Sequence, residues 1–273
     1  MTGESTALLA ELLDVARECA EAAGAEHRAG LNRTLDIAHK SNTSDLVTDV
    51  DRAAEDAVRA VLARRRPEDA IVGEEGGATG AAPVRWLIDP VDGTTNYAHR
   101  FPFFAVSVAA EAPGGLAAGA ILDVSRDELF TAVRGGGAFL NGRQISVSRT
   151  ARLADSLVAT GFGYDFADTR ANLEEFAAVL ARTRSVRRPG AASLDLAYVA
   201  CGRLDAFWEL QLGAWDVAAG MLLIREAGGV VTGLDGSSYP PGEGPAVASN
   251  GLVHAELLGV LEGARTRQAA PPG

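Results

Sequence analysis

Asp89-Pro90-Val91-Asp92-Gly93-Thr94-Thr95-Asn96 decides the reading of this chain. The stretch sets two carboxylates, a residue of fixed φ, a glycine and two hydroxyls side by side. The preceding Val84-Arg85-Trp86-Leu87-Ile88 is short, mostly apolar and bounded by Pro83, which predicts a buried strand with Asp89 at its carboxyl end. Pro90 restricts the backbone and Gly93 permits conformations other residues resist, so Asp89 and Asp92 are expected to converge across a tight turn. Two carboxylates that close repel each other unless a cation lies between them. Hard oxygen donors without Cys or His select Mg²⁺ or Mn²⁺ over zinc. If Gly93, Thr94 and Thr95 open a helix, their N–H groups would cradle a phosphate. Asp92-Gly93 taken alone reads as an ordinary surface turn; the whole string does not.

Other acids fall into a compatible map. Ala70-Ile71-Val72-Gly73 is a β-prone run that ends in Gly and then acid, which makes Glu74 a candidate third ligand. Asp45, Asp49 and Asp51 precede a helical pattern carried by Ala54, Ala57, Val58, Val61 and Leu62. At least one of Asp49 and Asp51 is expected to cap that helix. Far downstream, Trp215-Asp216 opens a segment with Val217, Ala218, Met221 and Leu222, and Asp216 alone would be read as a cap.

These elements together resemble the inositol monophosphatase family of magnesium-dependent, lithium-sensitive phosphatases. The resemblance extends to Asn96-Tyr97-Ala98-His99-Arg100-Phe101-Pro102, to Gly135-Gly136-Gly137-Ala138-Phe139-Leu140-Asn141-Gly142 and to Asp205-Ala206-Phe207-Trp208-Glu209. It implies an α+β chain with a layered α-β-α-β-α sugar-phosphatase fold and a metal site where its two halves meet. It implies that Glu74, Asp89, the Val91 carbonyl, Asp92 and Asp216 hold two or three Mg²⁺, with Mn²⁺ a possible substitute. Thr94 supported by Asp51, with Glu74, would serve the attacking water; capping is the other reading of Thr94. Gly93, Thr94, Thr95, Ala192, Glu209 and Asp216 would meet a small phosphorylated polyol. The resemblance also implies a homodimer. Gly190-Ala191-Ala192-Ser193 departs from the commoner Gly-Ser/Thr-Ala-Ala order by carrying its hydroxyl at 193. Arg187-Arg188 could bind a second anion, although an exposed charge pair is the simpler reading.

Composition agrees with that reading. A chain of 273 residues that is 47% hydrophobic can bury a sizeable core. A formal net charge of −11 disfavours nonspecific nucleic-acid binding, which rewards a basic face. Cys19 and Cys201 lack metal-type spacing and are expected to be reduced thiols of a cytosolic protein. No secretory signal is evident, and no apolar stretch approaches the roughly 20 residues a membrane span needs.

The remaining pattern mixes strand and helix. An amphipathic helix through Leu8, Leu12, Ala16 and Cys19 leads to a polar loop around Lys40-Ser41-Asn42-Thr43. Phe104 to Glu111, Gly119 to Val124, Glu128 to Val133, Ser156 to Thr160 and Asp205 to Glu209 read as strands. Helices are expected through Leu173 and Leu180, through Leu194 and Val199, and after Asp216. The expected organisation is one domain over residues 1–265, its metal-site half about 1–150 and its substrate half about 151–265. The tail from Gly263 is expected to be unpaired and mobile, with 266–273 outside the domain.

Overall fold

The computed structural model describes residues 3–39, 46–163 and 172–269. Asp45, the polar loop at 40–43 and residues 270–273 therefore lie outside the described residues. The helices are α1 (Gly3–Gly30), α2 (Asp49–Arg65), α3 (Thr94–Ala98), α4 (Leu173–Leu180), α5 (Ala192–Ala200), α6 (Ala214–Glu226) and α7 (His254–Ala269). A small β1 (Ile37–His39) and β2 (Leu46–Thr48) ribbon stands apart from two larger sheets. The first comprises β3 (Ala70–Gly73), β4 (Gly77–Thr79), β5 (Arg85–Asp92), β6 (Ala105–Ala112), β7 (Gly115–Asp123), β8 (Glu128–Val133), β9 (Gly137–Leu140) and β10 (Arg143–Gln144). Its spatial order is β10-β9-β8-β7-β6-β5-β3-β4. The second comprises β11 (Leu157–Thr160), β12 (Ser185–Arg187), β13 (Ala206–Glu209), β14 (Val230–Thr232) and β15 (Ala246–Ser249), in the order β12-β11-β13-β15-β14.

Side chains that alternate along the strands explain the layering. In β5, Trp86 and Ile88 face a core shared with Leu12, Val15 and Cys19 of α1 and with Val58 and Leu62 of α2. Leu87 points the other way, into a core with Leu196 of α5 and Val217 and Met221 of α6. That middle helical layer also meets Ala159 and Phe207 of the second sheet, whose far face sets Val158, Trp208 and Val247 against Val179, Leu257 and Leu261. The result is the expected α-β-α-β-α stack. At Gly119 the sheet and α6 approach so closely that a Cβ would lie 3.1 Å from the Ala219 Cα.

Two local expectations are corrected. The strand does not stop at Asp89: β5 continues through Pro90 to Asp92, and its pairing with β6 shifts register between Asp89 and Asp92. A bulge removes the ladder position that proline cannot fill, so Pro90 sits inside a strand, and the two aspartates approach across a bulge and not a turn. The chain from Gly263 is not loose either, since α7 runs to Ala269 and buries Ala264 one turn beyond Leu261. No helix among the described residues is long and apolar enough to cross a membrane. Both cysteines are thiols, and burial pushes Cys19 up to about 12.

Candidate active site

The carboxyl end of β5 delivers the first two acids, each tied to backbone. Asp89 accepts the Val91 N–H at 3.0 Å. Asp92 accepts the Ala192 N–H at 3.1 Å, the Ser193 N–H at 2.7 Å and the Ser193 hydroxyl at 2.5 Å. The strand of one sheet is thereby joined to the start of α5 in the middle layer. Gly93 follows with φ 91°, where a Cβ would lie 3.1 Å from both the Gly190 and Phe103 carbonyl oxygens. Close approach and left-handed backbone both require glycine here. Asn96 adds to the clamp, its amide donating to Phe103 O at 2.7 Å and Pro189 O at 2.8 Å.

Asp216 and Glu74 arrive from α6 and from the loop after β3. Asp216 accepts the Gly213 N–H at 2.7 Å, so its capping role is real and coexists with its place beside the other acids. Burial, then the charges of Glu74, Asp92 and Asp216, holds the Asp89 carboxyl well above the usual carboxylate range. Burial with Glu74 and Asp92 pushes Asp216 up to about 8. Asp92 rises only to about 6, because burial is opposed by the Ser193 and Ala192 donors. The Asp89 carboxyl lies within hydrogen-bonding reach of Glu74 and of Asp216. Among the described residues no three acids are disposed as they stand to ligate one ion. The donor set nevertheless fits a hard divalent cation: every member is a carboxylate, and a cation would relieve the repulsion that raises them.

Asp51 lies fully buried at the foot of this corner. It is the third residue of α2 and completes a capping box with Thr48, accepting the Thr48 N–H at 2.8 Å and the Thr48 hydroxyl at 2.5 Å on Oδ2. Its Oδ1 accepts the Thr94 hydroxyl at 2.8 Å. The same hydroxyl lies 3.0 Å from the Val91 carbonyl oxygen, so one hydrogen faces two acceptors while the oxygen keeps lone pairs for an incoming donor. Asp49, by contrast, turns outward to accept the Asp36 N–H and to pair with Arg33.

Residues 8–266 match the inositol monophosphatase family. The chain belongs to that family. An inositol-1-monophosphatase of Synechocystis is 43% identical over 252 residues, covering 91% of this chain and 88% of that protein. A Nus factor SuhB of Pseudomonas aeruginosa is 44% identical over 262 residues, covering 92% and 96%. The solved inositol monophosphatase of Anabaena superposes with a TM-score of 0.84 at 42% identity, covering 92% of this chain and 95% of that one. Membership in the inositol monophosphatase family makes the chain a phosphoric monoester hydrolase of a metal-dependent class.

The opposite wall is built differently from other inositol monophosphatase elements in the chain. Glu209 ends β13 half-buried, and a Cβ on Gly161 would lie 2.1 Å from its carboxylate, so Gly161 makes room for it. Burial, then the charges of Asp216 and Asp92, holds Glu209 well above the usual range. Ala192, expected to meet the substrate, has its N–H held by Asp92, and the hydroxyl displaced to Ser193 is committed to the same carboxylate.

Three residues of this neighbourhood escape a sequence reading. Asp195 is buried on α5 with no hydrogen-bond partner for Oδ1, and burial followed by Glu209 and Asp92 raises it well above the usual range. His27 of α1 is fully buried with Nε2 2.8 Å from the Pro90 carbonyl oxygen. Glu55 of α2 reaches the loop that carries Glu74. Each acts across more than one element, so its only local signal is a polar residue on an otherwise apolar helix face.

Proposed function

We propose that this protein hydrolyses myo-inositol monophosphate or a closely similar cyclitol or sugar phosphate, using Mg²⁺ held by Glu74, Asp89, the Val91 carbonyl, Asp92 and Asp216. The observation that carries the reading is the 2.8 Å bond from Thr94 to Asp51 at the foot of the crowded carboxylates. Two or three divalent cations bound there would lower the pKa of water and neutralise phosphoryl and leaving-group charge, with Mn²⁺ a possible substitute. Thr94 Oγ1 accepts a hydrogen from the attacking water while handing its own to Asp51 Oδ1. Two Thr48 donors fix the other oxygen of Asp51 and so aim Oδ1 at that hydroxyl. The N–H groups of Gly93, Thr94 and Thr95 orient the phosphoryl group, and Glu209 with Asp216 accepts hydroxyl hydrogens of the polyol. We read the catalytic unit as one domain over about residues 1–265 that works as a cytoplasmic homodimer.

A panel of phosphate-release assays with Mg²⁺ across inositol, histidinol, fructose and nucleotide phosphates tests the substrate class. The expected result is the highest kcat/KM on the inositol ester. Turnover should also fall in Li⁺ and not in matched Na⁺; identical curves in the two salts would contradict the reading of the metal site. A second, regulatory role through protein association is favoured by the similarity to a relative named Nus factor SuhB. Such a role would survive Asp89→Asn, whereas hydrolysis would not.

A further inference from the structure

Glu55 is almost fully buried, a poor place for a carboxylate unless something needs it there. Its Oε2 accepts the Glu75 N–H at 2.8 Å, and its Oε1 accepts the Gly76 N–H at 2.9 Å and the Arg59 Nε–H at 2.8 Å. Arg59 in turn donates to Gly77 O at 3.0 Å, which closes a ring of contacts around the loop after β3. The loop wraps the carboxylate so tightly that a Cβ on Gly73 or Gly76 would lie 2.4 or 2.5 Å from Glu55 Oε1. Glycines on both sides of Glu74-Glu75 therefore let backbone N–H groups reach a side chain of another element. On its other side, Glu74 is pinned to the strand by its own N–H, which donates to Ile88 O at 3.1 Å.

We infer that Glu55 is a positioning residue for the metal site: it holds the Gly73–Gly76 loop closed so that Glu74 stays turned toward Asp89. This rests on the reading of Glu74 as a metal ligand. With the loop held, presenting Glu74 to a cation requires no ordering of backbone. Glu55→Gln cannot serve both amides, because its own NH₂ would face an N–H donor. The freed loop would have to be ordered each time metal binds. Loss of such an outer partner weakens metal affinity by about 10- to 100-fold.

The test is Mn²⁺ binding to the full chain without substrate, counted by electron paramagnetic resonance, beside Mg²⁺ activation of phosphate release. For Glu55→Gln the expected result is a Kd for Mn²⁺ raised at least about tenfold and a matching rise in the Mg²⁺ concentration for half-activation, with kcat at saturating Mg²⁺ nearly kept. Gly76→Ala lies on an exposed loop and leaves the core alone; its Cβ presses on Glu55 and Arg59, and it should shift Mn²⁺ affinity in the same direction. Glu74→Gln separates the two readings. If it leaves Mn²⁺ binding unchanged, Glu74 is no ligand and the inference falls with it. If Glu74→Gln weakens binding while Glu55→Gln and Gly76→Ala do not, Glu74 stands as a ligand and Glu55 is overturned as its anchor. A lower melting temperature in Glu55→Gln with unchanged Mn²⁺ affinity also overturns it, since that is the signature of a merely structural carboxylate.

Discussion

The corner at the end of β5 and the wall formed by Glu209 and Asp195 are both acidic, both largely buried and close enough to raise one another. They differ in what holds them. In the corner each of four aspartates has a backbone donor: Val91 N on Asp89, Ala192 N on Asp92, Gly213 N on Asp216 and Thr48 N on Asp51. On the wall, Asp195 keeps a buried oxygen with no hydrogen-bond partner, and the positive charge that eases it comes from the exposed Arg188. Fixed carboxylates suit chemistry shared by every substrate, because preorganised groups need no rearrangement during the reaction. Glu209, the less buried of the two wall acids, is the one suited to recognition, because its carboxylate can accept a ligand hydroxyl.

The contrast breaks most visibly at Asp89. Asp89→Asn should reduce Mg²⁺-supported phosphate release to background while raising the melting temperature in chelator, because one of several mutually repelling carboxyls becomes neutral. A lower melting temperature in chelator would mean that the acids are held by partners and not strained by one another. Thr94→Val keeps the shape of the corner and removes the proton relay. It should lower kcat by about 10²–10⁴-fold with little change in the Mg²⁺ needed, as expected for loss of general acid–base assistance. A rise in the Mg²⁺ requirement with kcat intact would assign Thr94 to the cap alone.

Wall variants should do less, and selectively. Glu209→Ala should raise KM about tenfold for cyclitol phosphates and leave an aryl phosphate nearly unaffected, since only the polyol loses a hydrogen bond. Equal losses on both substrates would move Glu209 into the structural support of the corner.

The smallest effect on turnover is expected behind the corner, at His27. Burial holds its ring down to about 4, below its ordinary 6.5. Its contribution to stability is therefore present above about pH 6.5 and is lost as pH falls toward about 4, when protonation in the unfolded chain is preferred. Between pH 7 and 4.5 the wild type should lose roughly 2–3 kcal/mol more than His27→Gln in denaturant titrations. Parallel slopes for the two proteins would show that His27 does not titrate in this way.

The same two regions differ in how much of them can be read without a structure. The Asp89 string is legible because strand end, proline, glycine and ligands are contiguous, and its one misreading, a turn at Pro90, concerns a bulge that depends on the partner strand β6. Asp51 and Asp216 show themselves as caps, which they are, and their second role needs the fold. Asp195 sits between Leu194 and Leu196 in an apolar helix and has no local pattern to mark it. The helix α7 is missed because Gly259 and Gly263 interrupt its periodicity, while burial of Leu257, Leu261 and Ala264 against the second sheet's outer layer sustains it.

The carboxylate corner is expected to work only with a divalent cation between its charges. Phosphate release from myo-inositol 1-phosphate, followed in excess chelator and again after Mg²⁺ is restored, tests it most directly. Turnover should be lost in chelator and recover fully with Mg²⁺; equal turnover in the two conditions would show that the corner needs no divalent cation.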